Sequence, residues 1–164
     1  MRRYVVGVMG PGEGADPEDI ANARALGRLI AEVGWAVLSG GRNIGVMKAV
    51  NEGAKEVPGS LTISILPTAD AKPNPNVDVV ILTDMGNARN NINVLSSDVV
   101  VACGSGGAGT ASEIALALKA GKTVILLGAG EEAERFFRKL GKKRVIVVQT
   151  PAEAVMSVRR LQFG

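Results

Sequence analysis

The 164-residue chain has no histidine, a single cysteine, and only one Trp, one Tyr and three Phe. A lone thiol, Cys103, excludes an internal disulfide, and without histidine it cannot complete the usual zinc or iron ligand sets, although carboxylate metal sites stay open. Proton transfer near neutral pH must fall to Asp, Glu, Lys, Tyr or Cys103. The sparse aromatics offer no array on which single-stranded nucleic acid would stack. No apolar run reaches the ~18 residues that cross a bilayer. The N-terminal apolar segment, residues 4–9, stops at Gly10-Pro11-Gly12 and is too short for a signal peptide. A soluble, cytoplasmic protein with no membrane partner is therefore expected.

Charge is also modest, with 19 basic and 16 acidic residues and a net charge of +3. The basic residues gather between Glu134 and Arg144. That cluster reads as the solvated face and C-terminal end of a helix, where cations suit the negative end of the dipole, ahead of a nucleic-acid surface.

Apolar runs alternate with helical patterns along the whole chain, which implies one α/β domain with a mainly parallel sheet and helices on both faces. Strands are expected at residues 4–9, 35–38, 61–66, 77–82, 98–102, 123–127 and 144–148. Helices fill residues 17–33, 44–56, 85–97, 110–120, 131–140 and 151–161. The first opens with Asp16-Pro17-Glu18-Asp19, a cap residue, a proline at the first helical position and two acids, and its inward stripe is Ile20, Ala23, Leu26 or Gly27, and Ile30. Residues 67–77, with three prolines and two asparagines, form the one long loop, either a mobile lid or a plain connection.

Glycine is what the chain has in abundance, and it clusters in three strand-to-helix turns: Gly10-Pro11-Gly12-Glu13-Gly14, Ser39-Gly40-Gly41-Arg42-Asn43-Ile44-Gly45, and Cys103-Gly104-Ser105-Gly106-Gly107-Ala108-Gly109-Thr110-Ala111-Ser112-Glu113. One such turn means no more than tight packing of helix on strand. All three sit at the C-terminal ends of strands, where an open parallel sheet binds ligands. If the strand order is 3-2-1-4-5, the first turn and the fourth and fifth strands flank the crevice. Free backbone N–H groups and helix dipoles there suit a phosphorylated small molecule. Neither a Walker-type G-x-x-x-x-G-K-[ST] nor a tidy G-x-G-x-x-G is present.

Ser39-Gly40-Gly41-Arg42-Asn43-Ile44-Gly45-Val46-Met47, then Arg89, then Gly106 to Glu113, resemble in order and spacing the LOG family, formerly called lysine decarboxylases. That family's hallmark is P-G-G-x-G-T-x-x-E preceded by an Arg-Lys pair, and its enzymes hydrolyse the N-glycosidic bond of nucleoside 5′-monophosphates. The likeness spans residue 4 to about 128. Three departures stand out: Ser105 replaces the proline, Asn90 replaces the lysine, and the passage from Asp98 to the loop is about one residue longer. In these the chain resembles the branch containing the molybdenum cofactor carrier proteins. The resemblance implies a Rossmann-like, doubly wound fold of about seven strands, a homo-oligomer (dimer or tetramer), and molybdopterin as bound ligand without turnover. A phosphoribohydrolase is the alternative. No pyridoxal phosphate lysine or zinc set is evident, and no metal-ligating residues are assigned.

The expected ligand residues are Gly10, Pro11, Gly12, Ser39, Gly40, Gly41, Arg42, Gly45, Met47, Arg89, Asn90, Ser105, Gly106, Gly107, Ala108, Gly109, Thr110 and Glu113. Arg89 and Glu113 would be the working pair of a hydrolase. Arg89 sits beside an apparent inward stripe of Met85, Ala88, Ile92 and Leu95. Its partner is either an acid such as Asp84 or Asp98 or a ligand phosphate. Thr110 to Glu113 also reads as a capping box, which would tie the Glu113 carboxylate to the helix start and hold its pKa low. Asn87 and Asn91 are placed to read a heterocycle, while Asn93 is expected to face solvent. Cys103 is either small buried filler or a soft ligand to molybdenum.

Overall fold

The computed structural model describes residues 2–104 and 106–164. Strands β1 (Val5–Met9), β2 (Ala36–Ser39), β3 (Leu61–Leu66), β4 (Val79–Leu82), β5 (Val99–Cys103), β6 (Val124–Leu127) and β7 (Val145–Val148) alternate with α1 (Pro17–Glu32), α2 (Gly45–Lys55), α3 (Arg89–Ser96), α4 (Ala108–Lys119), α5 (Glu131–Gly141) and α6 (Pro151–Phe163). All pairings are parallel, in the order β4-β3-β2-β1-β5-β6-β7. β1, β2, β5 and β6 are buried along their whole length, so they read as unbroken apolar runs rather than as alternation. Helices α1, α2 and α6 cover one face through Leu26, Ile30, Val50 and Val158. α3, α4 and α5 cover the other through Val94, Ile114, Ala117 and Phe137.

The strand order differs from the conditional 3-2-1-4-5. β4 is added outside β3, and the neighbour of β1 is β5, with Val6 opposite Val99 and Met9 opposite Ala102. No helix separates β3 from β4; residues 67–78 carry the chain back across without one, and the edge strand is left exposed along its length. The chain thus winds outward from β1 to β4, returns through α3, and winds the other way from β5. The reversal lies between β1 and β5, so the turn after β1 and the glycine loop after β5 face each other across it.

Helix termini follow their cap chemistry. Asp16 Oδ1 accepts from Asp19 N–H at 3.0 Å and Pro17 occupies the first turn of α1. In α1 the buried stripe contains Asp19, Ala23, Leu26 and Ile30, while Ile20 is exposed. α1 and α2 approach at backbone distance: a Cβ on Gly27 would overlap the Val50 carbonyl oxygen, and one on Gly53 the Arg24 carbonyl oxygen. Alanine favours a helix interior over glycine by about 1 kcal/mol. Gly27→Ala is nonetheless expected to lower unfolding stability, by roughly 1–3 kcal/mol as overpacking does, in urea titrations monitored by circular dichroism. An unchanged midpoint would show that the two helices separate freely.

Candidate functional site

At the reversal point lies a cleft of about 220 Å³. Its walls come from the ends of β1 (Val8, Met9), the first glycine turn (Gly10, Pro11, Gly12, Glu13), the second (Gly40, Arg42, Met47), the start of α3 with its preceding 3-10 turn (Asn87, Arg89, Asn90), and the start of α4 (Gly107, Gly109, Thr110, Glu113). All three glycine turns therefore meet in one place. Of the expected ligand residues, Ser39, Gly41, Gly45, Gly106 and Ala108 do not line the cleft. Ser39 and Gly41 lie beneath it, where Ser39 Oγ accepts from Gly41 N–H at 3.2 Å and from Asn51 Nδ2 at 3.3 Å. Ser105 falls outside the described residues. Asn87, considered as a reader of a heterocycle, lines the cleft; Glu13, Val8 and Met9 join it without having been expected, and Glu13 was signalled only by its place inside the first turn.

α4 offers the cleft an open N-terminus. Its N-cap is Gly107, no side chain among the described residues caps it, and its first turn holds no acid. The helix starts two residues earlier than expected, which removes the capping box: Thr110 is the third helical residue rather than the cap, and Glu113 is a turn further in. The uncapped N–H groups and positive dipole end are free to meet an anion.

Released from that role, the Glu113 side chain turns inward, where it is 7% exposed and accepts from Asn93 Nδ2–H at 2.9 Å. Burial raises its pKa; the Asn93 hydrogen bond and the Arg89 charge pull the other way without cancelling the shift. The low pKa expected of a capping carboxylate is thus replaced by its opposite. Asn93, expected in solvent, is fully buried, because the inward residues of α3 are Arg89, Asn93 and Val94, while Met85 and Leu95 are exposed. The amide facing the cleft alongside Asn87 is Asn90, whose Nδ2 donates to Ser112 Oγ at 3.1 Å; Asn91 points to solvent.

Arg89 is 9% exposed, and its Nε has no hydrogen-bond partner among the described residues. Neither acid considered as its structural partner serves. Asp98 binds Arg2 at 2.5 Å and the Val5 N–H at 2.8 Å, and Asp84 accepts from the Ala69 N–H at 3.3 Å. Burial lowers the Arg89 pKa, with Glu113 opposing and Arg42 reinforcing the shift. The guanidinium lies against the second glycine turn: a Cβ on Gly40 would collide with Arg89 Nη1 and come within 2.8 Å of Met47 Sδ. Only a glycine leaves that space.

Cys103 is buried at the end of β5, its thiol 3.6 Å from the Asp19 carbonyl oxygen, and burial pushes its pKa up to about 12. It stays a neutral thiol and does not line the cleft. No cluster of three or more His, Cys, Asp or Glu among the described residues is arranged to hold a metal ion. No helix among them is long and apolar enough to cross a membrane.

An all-parallel sheet that reverses at a glycine-lined cleft defines a Rossmann-like α/β protein. Residues 3–155 match the model of the SLOG cluster4 family, and the chain belongs to that family. The molybdenum cofactor binding protein of the phototrophic bacterium Rippkaea orientalis has the same fold, with a TM-score of 0.94 and 49% identity over 98% of each chain. The molybdenum cofactor carrier protein of Chlamydomonas reinhardtii gives a TM-score of 0.95 and 46% identity, covering 99% of this chain and 100% of that one. A protein of Archaeoglobus fulgidus is 47% identical over 127 residues, 77% of this chain and 82% of the relative.

A buried carboxylate with a raised pKa makes the folded state bind a proton more tightly than the unfolded state, so its stabilising effect is present at low pH and lost as pH rises through the raised value. Glu113→Gln keeps the volume and cannot ionise. At pH 8 it is expected to melt a few degrees above the wild type, the size of about 1 kcal/mol in a chain of this length. The gap should close as pH falls below 4.5, the ordinary value of the group. A variant less stable than wild type at pH 8 would mean that Arg89 more than offsets the cost of burial.

Proposed function

We propose that this chain binds and carries the molybdenum cofactor, holding it without turning it over. The observation that carries the reading is the pairing, in one cleft, of an uncapped α4 N-terminus with a buried arginine whose Nε is unpartnered. Both call for an anion that the protein itself does not supply. The names and close likeness of the Rippkaea and Chlamydomonas proteins direct the choice of ligand.

When bound, the cofactor supplies a phosphate, a pterin edge rich in donors and acceptors, and sulfur-held molybdenum as cargo. Gly107, Gly109 and Thr110 meet the phosphate with backbone N–H groups. Arg89 neutralises charge in the same cleft, held in register by Met47 and the bare backbone of Gly40. Exposed Asn87 and Glu13 and half-buried Asn90 are among the polar groups left to read the ring. No aromatic side chain lines the cleft, which argues against stacked nucleic acid as partner. In this reading the ligand is small and phosphorylated, and the protein works as a cytosolic homo-oligomer.

One observation favours a second reading, phosphoribohydrolysis of a nucleoside monophosphate. Glu113 is a cleft-lining carboxylate of raised pKa near a guanidinium, a setting that suits general acid–base work or stabilisation of a ribosyl cation. Incubating the purified protein with AMP and, separately, with molybdenum cofactor separates the two. Carriage predicts pterin retained after gel filtration at about one per chain and no free adenine. Adenine release that disappears in Glu113→Ala would overturn it.

A further inference from the structure

A second cavity, of about 350 Å³, lies beside the cleft, and Arg42 lines both. Its other walls include Asn43, Pro67, Thr68 and Lys72, and no carboxylate is among them. The cations of the neighbouring helices are all neutralised: Arg24 by Glu56, Arg28 by Glu32, Lys48 by Glu52 and Lys55 by Asp78. Arg42 and Lys72 take part in no such pair among the described residues. Two cations line one hollow that has no acid in its lining, which leaves a positive potential that a bound anion would relieve.

The hollow is built, since the long loop that forms its outer wall is fixed to the second glycine turn. Asn74, 1% exposed, donates its backbone N–H to the Gly41 carbonyl at 2.9 Å and its Nδ2–H to Asn43 Oδ1 at 3.1 Å. Pro73 pairs with Arg42 in an isolated antiparallel bridge. At its start the loop is held by the Gly86 N–H on the Pro67 carbonyl at 2.8 Å. Residues 67–77 therefore form the outer wall of the hollow. They contribute Thr68 and Lys72 to the cavity that Arg42 also lines.

We propose that Arg42 and Lys72 form a second oxyanion site, which takes the anionic group at the far end of a ligand whose phosphate lies at α4. The link to that ligand rests on the carrier reading; the oxyanion site rests on the cavity alone. A guanidinium and an ammonium lining one hollow with a threonine suit a tetrahedral dianion, the shape shared by inorganic phosphate and molybdate.

Backbone amide NMR spectra of the full chain, titrated with inorganic phosphate and separately with molybdate, test this. Amides of Asn43, Thr68 and Ala71 should shift with a midpoint of their own, distinct from that of Gly107 and Gly109. Lys72→Ala should weaken the first midpoint at least tenfold and leave the second within twofold. The anion that saturates the Thr68 group at lower concentration identifies the source. The site is overturned if Thr68 and Ala71 do not respond, or respond equally in Lys72→Ala. Should the wild type retain no pterin while the Thr68 shifts persist, the carrier reading fails and the oxyanion site stands.

Discussion

A guanidinium that is nine-tenths buried with an unpartnered Nε persists only where packing holds it and where its charge has some later use. Here the holding is done by the reversal of the sheet. α3 must carry the chain from the outer edge back to β5, and in doing so it brings Arg89 over the C-terminal ends of β1 and β2. Gly40, lacking a side chain, lets the guanidinium lie flat against the second glycine turn, and Met47 closes the side. The uncapped start of α4 borders the same cleft. Each feature leaves an electrostatic demand unmet, and one anion placed between them answers both.

The buried carboxylate fits the same frame. Glu113 lines the cleft with Arg89 but lies beyond ion-pair distance of it, so each moderates the other's charge without cancelling it. A direct bridge would satisfy the arginine and close the cleft to an anion. Asn93 holds the carboxylate back through its Nδ2, leaving its own Oδ1 without a partner among the described residues. The site is therefore kept in a costly state by a small set of buried polar contacts, as binding sites often are.

The class of fold was legible in the chain because its signals are strong and local: unbroken apolar runs for strands, Asp16-Pro17 and Thr150-Pro151 for helix starts, and glycine at the turns. The order of strands was not: the helix-free passage from β3 to β4 was legible as the one long loop, but no residue announces that β5 rather than β4 returns to β1. The two T-x-x-E segments show the limit well. At Thr150 the motif does cap α6, with Thr150 Oγ1 accepting from Glu153 N–H at 3.2 Å and Glu153 Oε2 from Gln149 N–H at 2.8 Å. At Thr110 the same pattern lies inside the helix, because the glycines before it let α4 begin earlier. The proline that marks the first of these is absent from the second. Arg89 as an inward charge was legible, whereas Asn93 and Glu113 as a buried pair depended on how α3 rotates against α4, which apolar spacing in so polar a segment does not fix.

The claim at the centre of this account is that the protein leaves Arg89 unpaired so that a ligand anion can complete it. Its most direct test is the melting temperature of Arg89→Met, a change that removes the charge and keeps much of the volume, with and without millimolar inorganic phosphate. The account predicts that the variant without phosphate melts at or above the wild type, because an uncompensated buried charge is gone, and that the rise phosphate produces in the wild type shrinks to the share that the Arg42–Lys72 cavity contributes. A variant that melts well below the wild type yet keeps that rise would show Arg89 to be a structural ion-pair partner and would contradict the account.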